Sequence, residues 1–403
     1  AAAHDAIAAR GMRTLAVASR ANPGADRAQW ETGLVLEGLV GLADPPRPEA
    51  AAAVAECRSA GIRVVMLTGD HPLTAENVAR QVGLVEDEVR VVTGDELRHR
   101  TEAQLQLLLD TPGLIFARVT PEQKNDIVAA FKRKGHVVAV TGDGVNDAPA
   151  LRTADIGIAM GRGGTDVARA AADIVLLDDN FASIVSAVRE GRTVFANIRK
   201  FLTYILTSNV PELVPYLVFV LFGVPLPLTV IQILLVDLGT DLLPALALGA
   251  EPPHGNVMRQ PPRKKAVGLL SGRLLSRSYL ILGPVQAGAA MTAYFYVAQF
   301  GDYKAATTAC FAAIVVLQVF NLFACRSAFE LPRPAGFGGN PWLAPALAVE
   351  ILLLLLLVYS PLGATFAGMA PFPPGAWLVM LPFGLVLWVA DAIEKRLRGS
   401  PLA

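Results

Sequence analysis

Cysteine is scarce. Cys57, Cys310 and Cys325 are the only three in 403 residues, too few and too scattered for a disulfide framework or a zinc site. They read as reduced core thiols. An excess of one sign of charge is also lacking. The 35 basic and 35 acidic residues cancel, so net charge gives no reason to expect nucleic-acid binding. Charge of either sign is thin, at 17 % of residues, whereas 53 % are hydrophobic. Soluble domains usually carry about 25 % charged residues, so part of this chain is expected in a membrane. The opening AAAHDAIAAR has no Met, no basic n-region and no signal-cleavage pattern, and reads as the interior of a longer protein. No repeat or low-complexity segment stands out beyond alanine-rich 49–55.

Charge is concentrated in residues 1–200, where short β-branched runs alternate with helical patterns. Strands are expected at 62–67, 89–92, 114–117, 137–140, 156–159 and 174–177, with helices near 72–82, 95–109 and 121–133. Thr120 has the position of an N-cap, Pro121 that of the first helical residue, and Gln123 closes a capping box. Strands alternating with helices predict a parallel α/β sheet. Ligands bind such sheets at the carboxyl ends of the strands, where the Gly/Asp-rich turns fall.

Residues 201–390 are mostly apolar, with six segments near the ~20 residues that span a bilayer. They run over 201–222, 227–248, 278–298, 305–325, 342–360 and 375–391. The loop after the second segment holds Arg259, Arg263, Lys264, Lys265, Arg273 and Arg277. The loop after the fourth holds Arg326 and Arg333, and the tail holds Lys395, Arg396 and Arg398. The other loops are nearly uncharged. Basic loops belong on the cytoplasmic side, so the α/β region and the C-terminus are expected together in the cytoplasm.

The densest chemistry is TGDGVNDAPAL at 141–151, directly after an expected strand. Its glycines let the backbone turn tightly beside a ligand. Asp143 and Asp147 offer hard oxygen ligands four residues apart, suited to Mg²⁺ with phosphate oxygens. Thr68-Gly69-Asp70 offers a hydroxyl and backbone N–H groups at a second strand end, and Lys124 supplies a positive charge. Each alone reads as an ordinary turn or a solvated lysine. Together they point to Mg²⁺-dependent phosphoryl transfer, which needs chiefly positioning and charge stabilisation.

In the apolar half, ionisable residues within spans are costly and mark function by default. The first span holds Tyr204, Thr207, Ser208, Asn209 and Glu212, with Asn209 and Glu212 three apart on one helix face. Pro211 and Pro215 free the carbonyls of Thr207 and Pro211, which then need a cation, water or side chain. In the second span Asp237, Thr240 and Asp241 are expected on one face, with Pro244 freeing the Thr240 carbonyl. The fourth adds Gln318 and Asn321, and the fifth Glu350. Polar glue between helices is the bland reading. Carboxylates in adjacent spans beside freed carbonyls favour a cation site.

MLTGD, FARVTPEQK and TGDGVNDAPAL resemble, in order and spacing, the P-type (P2-type) cation-transporting ATPases. DPPR at 44–47 resembles that family's hinge out of the nucleotide-binding domain. The resemblance covers essentially the whole chain and implies its C-terminal portion. It implies a tail of the nucleotide-binding domain at 1–43, a haloacid-dehalogenase-like (Rossmannoid) α/β phosphorylation domain at 44–180 and a stalk helix at 181–200. An all-α domain of six transmembrane helices at 201–391 and a cytoplasmic tail at 392–403 would follow. By resemblance, Thr68 and Lys124 hold the transferred phosphoryl group and Gly69 shares that turn. Asp143 ligates Mg²⁺, Asn146 and Asp147 shape the metal and phosphate pocket, and Asp70 and Arg118 lie near the ATP nucleotide. The family's phosphorylated aspartate lies in DKTGT, and its actuator loop contains TGE; this sequence has neither. The chain alone is therefore expected to be inactive, with the N-terminal part of the same pump as its partner.

The stretches TSNVPELVP and PLPLTVIQILLVDLGTD look most like the sodium–potassium and proton–potassium branch, with the calcium-pump branch close behind. Ser208 stands where proton–potassium pumps have lysine. Asp237 and Gln318 match the sodium–potassium pattern, and Tyr204, Thr207, Gln318 and Glu350 resemble its third sodium site. Asn321 departs from that pattern, which has aspartate, and ALGAEPP looks equally calcium-pump-like. The expectation is an integral, multi-pass pump of the cell membrane, with membrane lipid and the transported cation as partners, moving monovalent cations, with Ca²⁺ transport as the alternative. A membrane-anchored phosphatase would need a DxD nucleophile motif, which is absent. A non-catalytic pump derivative would have lost the phosphate-site residues or the in-span carboxylates, and both sets are present.

Overall fold

The computed structural model describes residues 2–8, 12–21, 30–42, 45–86, 88–253, 257–263, 268–326 and 339–398. Asp44 of the DPPR motif, Lys264, Lys265, Arg333 and the end of the tail lie outside them. The chain divides into two compact units, Ala1–Val188 and Arg189–Ala403.

The first unit opens with an antiparallel pair, β1 (Arg13–Ser19) and β2 (Val35–Leu42), which the sequence reading did not separate from its surroundings. The remaining strands are all parallel. They are β3 (Met66–Leu67), β4 (Arg90–Thr93), β5 (Leu114–Ala117), β6 (Ala139–Gly142), β7 (Ile156–Met160) and β8 (Ile174–Leu176). Hydrogen bonding groups them as two three-stranded sheets, β3-β5-β4 and β6-β7-β8, rather than as one. In β5 the run LIFA is buried at every position, as a central strand covered on both faces requires. Strand β3 keeps two residues of the six expected at 62–67, because only Met66 and Leu67 pair with β5.

Helix Pro121–Arg133 begins as its sequence dictates. Thr120 accepts from the Gln123 N–H, and the Gln123 side chain accepts from the Thr120 N–H. The single helix expected near 95–109 is instead two, Gly94–Arg98 and Glu102–Leu108. Thr101 and Gln104 form a second capping box, and an N-cap residue is extended, so it interrupts one helix as it starts the next.

Among the described residues, five helices are long and apolar enough to cross a membrane: Phe181–Phe222, Val230–Gly249, Gly272–Ala298, Tyr303–Cys325 and Gly375–Leu397. Leu343–Tyr359 and Pro361–Ala367 form a sixth segment bent by 81°, where Ser360 caps the second piece. The first helix runs unbroken through Pro211 and Pro215. In the second and third spans, Leu235–Thr240 and Arg277–Leu282 take the wider π-helical turn. Tyr303–Cys325 is enclosed along nearly its whole length. Alanines at 305, 306, 309, 312 and 313 let neighbouring helices approach closely. Gly384 does the same on the last span: a Cβ there would stand 2.5 Å from the Phe320 ring.

The third span starts earlier than expected, so Arg273 and Arg277 lie in helix rather than in a loop. Arg277 is buried and pairs with Asp391 of the last span. Lys395, expected among the basic residues of the tail, lies 2.6 Å from the other Asp391 oxygen. Both cations also donate to the Ala324 carbonyl, at 3.0 Å and 2.9 Å. This knot ties three spans together. Replacing Asp391 with alanine would leave two buried cations without their shared anion, a change that typically costs about 3–5 kcal/mol. Thermal melting of the detergent-solubilised protein is expected to drop sharply for Asp391→Ala and little for an exposed mid-helix control such as Glu190→Ala.

Candidate phosphate and cation sites

In the first unit, the phosphate-type residues form two local groups. Thr68 Oγ1 lies 3.0 Å from Asp70 Oδ2 and accepts from the Asp70 N–H. The Arg118 N–H reaches the Asp70 carbonyl, and Arg118 has a left-handed backbone with φ 50°. Lys124 belongs to the other group: its Nζ donates to Asp147 Oδ1 at 2.7 Å. The second Asp147 oxygen accepts from the N–H groups of Asp143 and Gly144, each at 3.2 Å. Both Asp147 oxygens are thus committed, while the exposed Asp143 carboxylate has no bonded partner among the described residues. Asn146 is exposed beside it. Gly142 is obligatory here, because a Cβ would stand 2.4 Å from the Asp147 Cβ.

In the second unit, the buried polar residues converge on Asp241, which is fully buried. Its Oδ2 accepts from Gln318 Nε2 at 2.6 Å and lies 2.8 Å from Ser208 Oγ. Ser208 Oγ also lies 3.0 Å from Glu212 Oε1. A hydroxyl carries one proton, so Ser208 donates to one carboxylate at a time and the other needs a proton or a cation. Asn321 Nδ2 donates to Gln318 Oε1 at 2.8 Å and to the Tyr204 carbonyl at 3.4 Å. Thr207 turns its hydroxyl back to the Thr203 carbonyl, and Thr240 does the same to Val236. Both Glu350 oxygens are buried with no hydrogen-bond partner among the described residues.

Asn209 and Asp237 depart from the expectation of shared faces. Both are exposed, whereas Glu212, Thr240 and Asp241 are buried. The buried line of the first span passes through Thr207, Ser208, Pro211 and Glu212, and Asn209 lies one step beyond it. In the second span the Asp241 N–H bonds to the Val236 carbonyl, five residues back. That wider turn breaks the α-helical spacing assumed for Asp237. Gln286, on the third span, was missed. It is fully buried, and its Nε2 lies 3.1 Å from Gln318 Oε1. A lone glutamine among apolar residues was the only signal it offered. Among the described residues, no three His, Cys, Asp or Glu side chains gather as a metal cluster. Any cation held here would be shared among carboxylates, amides, hydroxyls and carbonyls.

A model of the haloacid dehalogenase-like hydrolases matches residues 5–155, and one of the cation transporting ATPase C-terminus matches residues 225–397. The calcium-transporting ATPase of Bacillus subtilis (strain 168) is 42 % identical over 93 % of this chain. The sodium/potassium-transporting ATPase subunits alpha-B of Artemia franciscana and alpha-4 of Homo sapiens are each 38 % identical over 90 % of it. The chain belongs to the P-type cation-transporting ATPases. It spans 42 %, 42 % and 41 % of the lengths of these three relatives.

Mg²⁺ and ATP are the cofactors that P-type ATPases imply. The residues fit the ion: Asp143 offers an uncommitted carboxylate beside a turn of backbone N–H groups. Mg²⁺ is commonly held by one or two carboxylates together with waters and phosphate oxygens.

The sequence reading also missed Asp179. Its carboxylate accepts from the N–H groups of Gly161, Arg162 and Gly163, at 2.7, 3.0 and 2.7 Å. Desolvation pushes this carboxyl up, but the three N–H donors and nearby Arg47 together hold it below the ordinary aspartate value. A depressed carboxyl contributes stability that is present above its unfolded value and is lost as pH falls through the folded one. Amide-exchange protection factors at Arg162 and Gly163 are expected to stay high near neutrality and to fall only below the ordinary aspartate range. Asp179→Asn is expected to lower them at both pH values.

Proposed function

We propose that this chain is the C-terminal part of an ATP-driven cation pump that works through a phosphoenzyme and alternating access. One observation carries the transport reading. Buried carboxylates elsewhere in the second unit have a basic partner: Asp391 has Arg277 and Lys395, and Glu251 has Arg326. Glu212, Asp241 and Glu350 are buried with no basic residue paired to them among the described residues. Buried charges demand compensation. A transported cation or a proton supplies it, and exchanging one for the other is what a pump requires.

In this reading Asp143 ligates Mg²⁺, which screens the phosphoryl oxygens when bound. Lys124, held by Asp147, brings a positive charge to the same oxygens, and Thr68 with the Gly69 N–H completes the phosphate cradle. Asn146 shapes the pocket, while Asp70 and Arg118 lie toward the nucleotide. The phosphorylated aspartate belongs to the part of the pump outside these residues. The residues proposed to line the cation site are Tyr204, Thr207, Ser208, Asn209, Glu212, Asp237, Thr240, Asp241, Gln318, Asn321 and Glu350, with Asn209 and Asp237 at its exposed edge. Asp237 and Gln318 favour Na⁺ and K⁺, although both a calcium pump and sodium/potassium pumps are among the relatives.

The full-length protein is expected to form an ATP-dependent acyl-phosphate that hydroxylamine removes, and Asp143→Asn to suppress it. Titrating its ATPase activity separately with Na⁺ and with chelator-controlled Ca²⁺ decides the ion. Stimulation by Na⁺ supports the monovalent reading, and stimulation by micromolar Ca²⁺ without a Na⁺ response overturns it.

The orientation has its own test. Cysteines introduced at Gly223 and Gly301 are expected to react with an impermeant reagent added outside intact cells, and one at Gly268 only after permeabilisation. The reverse pattern would refute a cytoplasmic phosphate site.

A further inference from the structure

Gln286 is the only amide among the buried residues of helix Gly283–Ala298, where its neighbours are small or apolar. Burying an amide without full hydrogen bonding costs about 1–3 kcal/mol. Gln286 makes one bond, from Nε2 to Gln318 Oε1, and its own Oε1 is buried without a partner. The direction of that bond follows from Asp241. An ionised carboxylate only accepts, so Gln318 must turn Nε2 toward Asp241 Oδ2. Gln318 Oε1 then faces away and needs donors, which Gln286 and Asn321 supply. Without them, rotation of the Gln318 amide by half a turn would set an oxygen against the Asp241 carboxylate.

We propose that Gln286 is a positioning residue for the cation site, acting through Gln318 to keep an N–H donor on Asp241. The proposal rests on the cation site inferred above. Held this way, Gln318 offers the site a donor rather than its carbonyl oxygen. Charge compensation by the cation is left to the Asp241 carboxylate, which Gln318 and Ser208 hold in one rotamer. The third span thereby sets the geometry of a carboxylate on the second without touching it.

The test uses the full-length protein and two readouts: cation-stimulated ATPase activity, and the rise of melting temperature with added Na⁺, K⁺ or Ca²⁺, which needs no hydrolysis. Gln286→Met keeps volume and removes the donor. Gln286→Asn keeps an amide but withdraws it by one carbon, and serves if the first variant fails to assemble. Each is expected to raise the half-saturating cation concentration about fivefold to tenfold, the effect of one buried hydrogen bond, with maximal rate within about twofold. In a Gln318→Leu background neither is expected to add a further shift, because the mediator is gone. Unchanged half-saturation, or an equal shift with and without Gln318, would overturn the proposal. A wild type that melts in a cation-dependent way yet hydrolyses no ATP would sink the pump and leave this inference standing. A wild type whose melting is blind to all three ions would sink this inference too.

Discussion

A carboxylate enclosed by apolar helices has to find compensation, and the second unit is organised around that requirement. Asp391 draws Arg277 and Lys395 inward, joining the last span to the third and, through the Ala324 carbonyl, to the fourth. Glu251 does the same at the end of the second span, taking Arg326 on one oxygen at 2.6 Å and Asn340 on the other at 2.7 Å. Asn197 adds a bond to the Glu251 carbonyl at 2.6 Å. These paired carboxylates fix which helices meet and where. Glu212, Asp241 and Glu350 are different in kind, because their compensation is left open. The same physics therefore makes some acids structural pegs and others candidate ion ligands, and the basic partner is what separates them.

The neutral residues around Asp241 have a polarity, not merely proximity. Ser208 and Gln318 converge on one oxygen of the carboxylate, and Asn321 and Gln286 stand behind Gln318. A network with one fixed acceptor at its centre orients every amide attached to it. The π-helical turn at Leu235–Thr240 contributes by shifting the register of the second span. Thr240 and Asp241 go inward and Asp237 outward. Irregular turns of this kind often occur at functional positions in helices.

In the first unit, backbone N–H groups carry much of the burden. Asp147 and Asp179 each gather N–H groups from a glycine-containing turn, at the ends of β6 and β7. Asp147 then presents its second oxygen to Lys124, which arrives on the helix that follows β5. The turn after β6 thus gains a fixed positive charge from another strand's crossover, leaving Asp143 uncommitted at its rim.

Much of this was written in local sequence. Thr120-Pro121 and Gln123 declared a helix start, LIFA declared a strand, and long apolar runs declared the spans, because capping, pleating and bilayer thickness act over a few residues. The motifs at 68–70 and 141–151 were legible for the same reason: backbone turns and short carboxylates define them. Partnership across the chain was not legible. Nothing local distinguishes Arg277 in a buried knot from a loop arginine, or Gln286 on Gln318 from polar glue. Nor does the α-helical period reveal that Asp237 faces out while Asp241 faces in, since a π turn depends on how neighbouring helices pack. The sequence determined the elements and the kinds of chemistry available. Only the tertiary structure decided which acids are neutralised by a basic partner and which are not, because compensation is a property of pairs brought together from distant parts of the chain.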